Sequence, residues 1–425
     1  MDRFTFVHAS DLHLDTPFEG IGESSPRVAE ALREASLQAW DALVDLCIQR
    51  QARILLLAGD LYDGPARGVR AQLRFLRGLQ RLTDAGAHTF IAHGNHDPIS
   101  GWSAIRTWPQ NVHVFGHGEV EAVPVSLGGK VGAVVHGISY ATAETAENLA
   151  LRFRRTHEHG VHFGLLHCSV GSQPDHARYS PCSLDDLRRA GLDYWALGHI
   201  HRRQILSERT PWIAYCGNLQ GRSPKASELG PKGALVGEVV GGAVQSVEFV
   251  ALDRVRFEQV LVDIDGMQGL DEASRALEET SYRAVESAGR PVILRGTLAG
   301  RGQAHQALAR AQALEEMLRD LRDAGMARSP WVWWDDIRDT TRGAIDRGAI
   351  VARGDFASEL LRRFDRAAAD PESPHHLAGP ILGEMRKRLP HRLASDVLPS
   401  EWHAILRDAE SLALDRLDAH AEEDL

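Results

Sequence analysis

The chain has 425 residues, too many for one ordinary domain, and its 43% hydrophobic and 25% charged content is that of a soluble globular enzyme. A formal net charge of -10 excludes a protein that coats nucleic acid by bulk charge, though not a nuclease with a local basic face. The four scattered cysteines form no CxxC pair, which argues against a disulfide scaffold or zinc ribbon.

The first half alternates short apolar runs with amphipathic segments. Phe4 to His8 reads as a strand entered at once from the N-terminus, so no signal peptide is expected. No run of about 18 apolar residues occurs, and a cytoplasmic protein is expected. Ser25 as N-cap and Pro26 in the first turn predict a helix over about 26–50. Ile54 to Leu57 is continuously apolar, as a strand buried on both faces would be. A helix over about 66–85 follows, with Gly86 as its C-cap, then a strand from Thr89 to Ala92. From Val112 to Tyr140 the pattern turns to short strands and glycine-rich turns, and strands are expected at 161–166, 194–197, 233–240 and 245–252.

After Leu252 the character shifts. Strands over 257–264, 291–296 and 331–334 alternate with helices over 270–288 and 304–324. Beyond Thr340 only helices are expected, at about 356–369, 377–388 and 400–421, with Asp370-Pro371-Glu372-Ser373-Pro374 as a breaker. The expected domains are 1–252, 253–340 and 341–425. The last helix carries Trp402, Ile405, Leu406, Leu412, Leu414 and Leu417, a stripe that either folds back or docks a partner.

Five segments at strand ends carry the chemistry. Asp11-Leu12-His13 offers two ligands two residues apart; Gly59-Asp60-Leu61-Tyr62-Asp63 offers carboxylates after a glycine. Gly94-Asn95-His96-Asp97 adds an amide oxygen and an imidazole, His167 another imidazole, and Gly198-His199-Ile200-His201 two more. Imidazole, carboxylate and amide without thiolate suit manganese, iron, zinc or similar divalent ions, not a closed structural zinc. Seven ligands are too many for one ion and fit two that share a carboxylate, a clamp suited to phosphoryl displacement.

DxH, GDxxD, GNHD, H and GHxH in this order resemble the signature of calcineurin-like metallophosphoesterases, and span residues 8 to 201. FVHASDLHLD, LLLAGDLYD, HGNHD and ALGHIH are more narrowly similar to the bacterial SbcD and YhaO branch of DNA-repair nucleases. The resemblance implies an α/β fold, a two-sheet αββα sandwich with a C-terminal α/β cap module and a helical tail. It implies that Asp11, His13 and His201 hold one ion, that Asn95, His167 and His199 hold the other, and that Asp60 bridges. His96 would donate a proton to the leaving group, with Asp63 as its partner ahead of Asp97. Eukaryotic repair nucleases carry a histidine at the place of Asp63, so the chain sides with the bacterial branch.

The expected function is two-metal hydrolysis of DNA phosphodiesters by an exonuclease with possible endonuclease activity. Manganese is the expected metal, with iron, zinc and magnesium as alternatives. The expected partners are DNA, an SMC-like ATPase of the SbcC type and a second copy of the chain. Two rivals stand beside it: an enzyme for small nucleotide or phosphomonoester substrates, and a gated scaffolding subunit of the ATPase. Asn218 and Arg222, in a glycine-rich turn, either grip a phosphate or belong to an ordinary hairpin. His8, His93, His136 and His162 read as packed strand residues. Arg152, Arg154, Arg155, Arg188, Arg189, Arg202 and Arg203 read as solvated faces, and Trp331 and Trp333 as core. Cys168 reads as a small buried residue.

Overall fold

The computed structural model describes residues 3–18, 25–64, 68–101, 104–171, 178–370, 405–414 and 416–417. In chain order the elements are β1 (Arg3–Ala9), α1 (Pro26–Gln49), β2 (Ile54–Ala58), α2 (Val69–Asp84), β3 (His88–Ala92), β4 (Val112–Val114), β5 (Glu121–Leu127), β6 (Lys130–Gly137), β7 (Val161–His167), α3 (Leu184–Arg189) and β8 (Tyr194–Gly198). There follow β9 (Gln204–Glu208), β10 (Trp212–Tyr215), β11 (Gly233–Val240), β12 (Ala243–Ala251), β13 (Arg256–Asp263), α4 (Leu270–Ala288), β14 (Val292–Ala299), α5 (Ala304–Leu308), α6 (Ala313–Met326), β15 (Val332–Asp339), α7 (Arg347–Arg353) and α8 (Phe356–Ala369).

Two six-stranded sheets, in the orders β12-β11-β1-β2-β3-β4 and β5-β6-β7-β8-β10-β9, lie face to face. Strand β2 shows why its sequence is uniformly apolar. Leu55 and Leu57 pack into the core under α1 and α2, while Ile54, Leu56 and Ala58 pack into the core between the sheets. Phe6, Phe163 and Tyr194 meet edge to face in that inner core, with ring centroids 4.8–6.0 Å apart. α3 covers the outer face of the second sheet through Leu187, beside Phe153 and Trp195. The result is an αββα sandwich.

Strands β1 to β4 run parallel, as do β6, β7, β8 and β10. The carboxyl ends of β1, β2, β3, β7 and β8 therefore deliver their loops to one rim, where open α/β sheets place ligands. The parallel sheet β13-β14-β15 buries Leu294 and Trp334 under α4, α5 and α6. Its opposite face packs Phe257, Ile293, Trp331 and Trp333 against Val28, Leu32 and Ala35 of α1. All three tryptophans are thus core residues, and α1 is shared between the sandwich and this smaller sheet. Both lie in one compact unit, Met1–Arg342; the second is Gly343–Leu425.

Within that second unit α7 and α8 pack together, residues 405–414 are helical, and Arg347 pairs with Asp365 and Glu410. Leu361, Leu406 and Leu414 are buried. The helix expected over 377–388, and Trp402, lie outside the described residues.

The structure corrects several sequence expectations. The helix over 304–324 is two helices, α5 and α6, broken at Gln312, which adopts a left-handed φ of 70°. The break lets Leu308, Met317 and Leu321 enter one core. Helix α2 ends at Asp84 with Ala85 as cap, and Gly86 (φ 77°) stands one residue beyond. α3, α7, β9 and β10 were not anticipated. A Ser183–Asp186 capping box signals α3, whereas α7 buries none of its side chains and has no apolar face to read.

Candidate metal centre

The loops at the rim are laced to one another by main-chain bonds. Asp11 N donates to Gly59 O (3.0 Å), His13 N to Asp60 O (3.0 Å) and Leu14 N to Leu61 O (2.9 Å). Asp97, fully buried, fastens the next loop. One of its oxygens accepts from Gly94 N (2.8 Å) and Asp60 N (3.2 Å). The other accepts from Leu61 N (3.0 Å) and lies 3.0 Å from His93 Nδ1. Asp97 is thus a loop clamp, and His96 turns elsewhere.

Asp11, His13, Asp60 and His199 all hold the left-handed backbone that non-glycine residues avoid, with φ of 52°, 43°, 51° and 101°. Gly59 (φ 88°) is needed for a second reason, since a Cβ there would clash with the His167 ring, 2.8 Å from its Cγ and nearer still to its Nδ1.

Three groups of donor atoms lie within 4.8 Å of one another: Asp11, His13 and His201; Asp11, Asp60 and His167; and His13, Asp63 and His96. His13 Nε2 stands 3.2 Å from His201 Nε2, and His201 Nε2 is 3.8 Å from Asp11 Oδ1. Asp60 Oδ2 is 3.4 Å from His167 Nε2, which is 2.9 Å from Asn95 Oδ1. The His199 ring lies 5.3 Å from that of His167, and its backbone N–H donates to the Asp11 carboxylate (3.1 Å). The seven residues therefore converge. Asp11, His13, Asp60, Asn95, His167, His199 and His201 bring imidazole, carboxylate and amide atoms together with no thiolate. Facing imidazole nitrogens between two carboxylates are a donor set that divalent cations fit.

Electrostatics separate the pocket from its mouth. Burial would raise the Asp60 pKa, but His167 and its hydrogen bond hold it far below the carboxylate range. Burial would likewise lower His167, but Asp60 and Asp11 carry it up to about 9. Burial raises Asp11 and drives His13 well below its ordinary value. At the mouth, the His96 side chain is 44% exposed. Its Nδ1 bonds to Asp63 Oδ1, which raises the His96 pKa and lowers that of Asp63. Arg222 Nη2 donates to the other Asp63 oxygen at 2.7 Å.

Asn218 sits differently. It is fully buried, and its Nδ2 donates to Gln220 O (2.7 Å) and Glu228 Oε2 (2.6 Å), on the far side of His201 from the cluster. Its grip on a substrate phosphate gives way to a grip on Glu228. Sequence reading missed Glu228, whose Oε1 lies 2.5 Å from His201 Nδ1, because nothing marks it within Ser223-Pro224-Lys225-Ala226-Ser227-Glu228. Burial raises the Glu228 pKa, but the His201 hydrogen bond and charge bring it to about 2.

The remaining side chains are spent locally. His8 meets Tyr194 and Leu197 O, and His136 meets His162. Arg152 pairs with Glu147, Arg155 with Asp193, and Arg203 lies over Phe249. Cys168 is buried 3.8 Å from Cys182.

A family model described as calcineurin-like phosphoesterase matches residues 4–203, and one described as the middle domain of metallophosphoesterase YhaO matches residues 257–342. The chain is 34% identical over 364 residues to the uncharacterized metallophosphoesterase YhaO of Bacillus subtilis, covering 85% of this chain and 87% of that one. It is 27% identical over 289 residues to the DNA double-strand break repair protein Mre11 of Aeropyrum pernix, covering 64% and 66%. A dimetal phosphatase structure from Danio rerio aligns over 56% of this chain and 93% of its own, at 13% identity and a TM-score of 0.33.

Proposed function

This chain belongs to the calcineurin-like metallophosphoesterase family, and we propose that it is a two-metal phosphodiester hydrolase whose substrate is DNA. It acts as an exonuclease, in repair. The observation that carries the hydrolase reading is the pair of donor groups that share Asp11, with His96 exposed beside them. In this reading Asp11, His13 and His201 would hold one ion, Asn95, His167 and His199 would hold the other, and Asp60 would serve both. Manganese is the favoured metal, ahead of iron, zinc and magnesium.

Bound there, two divalent ions supply charge for the phosphoryl oxygens and lower the pKa of water. The chain's own residues do the rest. Asp63 accepts from His96 Nδ1, which leaves Nε2 free to give its proton to the leaving oxygen. Arg222 fixes Asp63 and sets a guanidinium beside the mouth, where a phosphate would meet it.

DNA as substrate is supported by the similarity to Mre11. An SMC-like ATPase and a second copy of the chain are the partners this reading favours, and a cytoplasmic place of action accords with it. No helix among the described residues is long and apolar enough to cross a membrane. The test is digestion of end-labelled single- and double-stranded DNA with Mn²⁺, beside a chromogenic phosphodiester. Shortening of labelled DNA is the expected result. Cleavage of the chromogenic diester with no DNA cut would overturn the substrate and favour a small nucleotide.

A further inference from the structure

We propose that Glu228 is the positioning residue that fixes the tautomer and direction of His201, so that a bare Nε2 faces Asp11 and His13. The inference rests on the metal-site reading above and goes beyond it, because Glu228 lies outside the donor cluster.

Neutral imidazole carries one proton, on either nitrogen, and only the bare nitrogen can bind a cation. Which one is bare is set by the partner of the other. For His167 that partner is the Ala58 carbonyl, 2.9 Å from Nδ1. A carbonyl can only accept, so the proton stays on Nδ1 and Nε2 faces Asp60 and Asn95. At His201, among the described residues, no backbone carbonyl does this. Glu228 Oε1 takes the place, 2.5 Å from Nδ1, while Nε2 looks toward His13 and Asp11.

Glu228 is itself held on every side. Asn218 Nδ2 (2.6 Å) and Arg222 N (3.1 Å) both donate to its Oε2, so neither carboxylate oxygen is idle. Lys232, also buried, donates from Nζ to His201 O (2.8 Å) and Ser227 O (2.6 Å). That ties the backbone beneath the imidazole to the residue before Glu228. The loop therefore holds the spacing between ring and carboxylate.

This bonding makes one isosteric change decisive. In Glu228→Gln a single acceptor oxygen remains, and two donors already claim the Oε2 position. The glutamine must place its oxygen there and turn its NH₂ toward His201 Nδ1. The imidazole then has to accept through Nδ1 and carry its proton on Nε2, the atom that faces the cluster. Loss of such an outer partner typically weakens a metal site by about 10- to 100-fold.

The experiment uses the full chain, labelled with ¹⁵N-histidine and stripped of metal, at alkaline pH. Long-range ¹H–¹⁵N spectra read the tautomer of His201, assigned by the signals lost in His201→Asn. The wild type should show the proton on Nδ1, and Glu228→Gln should move it to Nε2. Titration with Mn²⁺ should show one of two ions weakened by about 10- to 100-fold and the other unchanged. A wild-type proton on Nε2 overturns the proposal. So does a Glu228→Gln chain that keeps both the wild-type tautomer and both affinities. Should Glu228→Gln fail to fold, the wild-type spectrum alone decides. A wild type that takes up none of Mn²⁺, Fe²⁺, Zn²⁺ and Mg²⁺ would sink the hydrolase reading, while the tautomer would still settle the part played by Glu228.

Discussion

Gly198→Ala tests the geometry on which the site depends. Gly198 ends β8 and packs against Ala58, the end of β2 in the first sheet. A Cβ there would overlap the Ala58 carbonyl oxygen, and would lie 2.9 Å from both the Ala58 carbonyl carbon and His167 Nδ1. Ordinary carbon contacts fall at about 3.5–4 Å, and the overlap with the oxygen is deeper than either 2.9 Å contact, so something must yield by well over about 1 Å. The obstacle is main chain in a central strand, and the same Ala58 oxygen orients His167. Neither can swing aside as a flexible side chain would. Overpacking of this kind costs about 1–3 kcal/mol, and rigid backbone puts the cost at the upper end. For a unit as large as Met1–Arg342 that is a fall in Tm of roughly 3–4 °C. A ligand misplaced by about 1 Å can also slow turnover about 100-fold. Circular dichroism melts, Mn²⁺ titration and chromogenic diester hydrolysis would read these effects. Gly118→Ala is the control, because nothing lies within 4 Å of its added Cβ. A Gly198→Ala protein with wild-type Tm, metal affinity and rate would refute the close approach of the two sheets.

Other perturbations separate the roles of individual residues. Asp60→Ala should hold fewer than two ions per chain and lose activity, and elemental analysis finding two ions would defeat its bridging role. His96→Ala should keep both ions yet turn over about 10²–10⁴-fold more slowly, most visibly on a diester with a poor leaving group. Asp63→Asn removes the hydrogen bond that raises the His96 pKa, so the alkaline limb of kcat/KM should move to lower pH; an unmoved limb would remove Asp63 from that part. Burial lowers His136 from 6.5 to about 4, so the unfolded chain binds the extra proton as pH falls through that window. Metal-free protein should lose up to about 3 kcal/mol from this one group between pH 6.5 and 4, and His136→Gln should flatten that part of the acid melt.

The strands were legible because their two-sided burial demands uninterrupted apolar residues, as at Ile54 to Leu57. α1 was legible from Ser25, whose side chain accepts from Val28 N, and from Pro26 beside it. The donor segments could be read because each follows such a strand within a few residues. What stayed hidden depends on contacts across long stretches of chain. Glu228 meets His201 from 27 positions away and sits in a polar loop without periodicity. Asp97 stands beside His96 in sequence, yet reaches back 37 residues to Asp60 N. Gln312 breaks a helix with neither glycine nor proline, for the sake of packing in the smaller sheet's core. β9 and β10 are only five and four residues long, too brief for alternation to register.

The loop over 217–228 joins two features that are separate in the sequence. It carries Arg222 to Asp63 and Glu228 to His201, so it touches both the mouth and the pocket. It is also pinned to the start of the smaller sheet. The Gln220 side chain donates to Val255 O (2.6 Å) and accepts from Arg254 N (2.7 Å), while Gln259 Nε2 donates to Pro224 O (3.1 Å). Asp11, His13, Asp60 and His167, by contrast, hang from the carboxyl ends of strands inside the sandwich and are clamped there by Asp97 and the main chain. Any displacement of β13 would thus reach His201 and the Asp63–Arg222 pair before it reached Asp60 or His167.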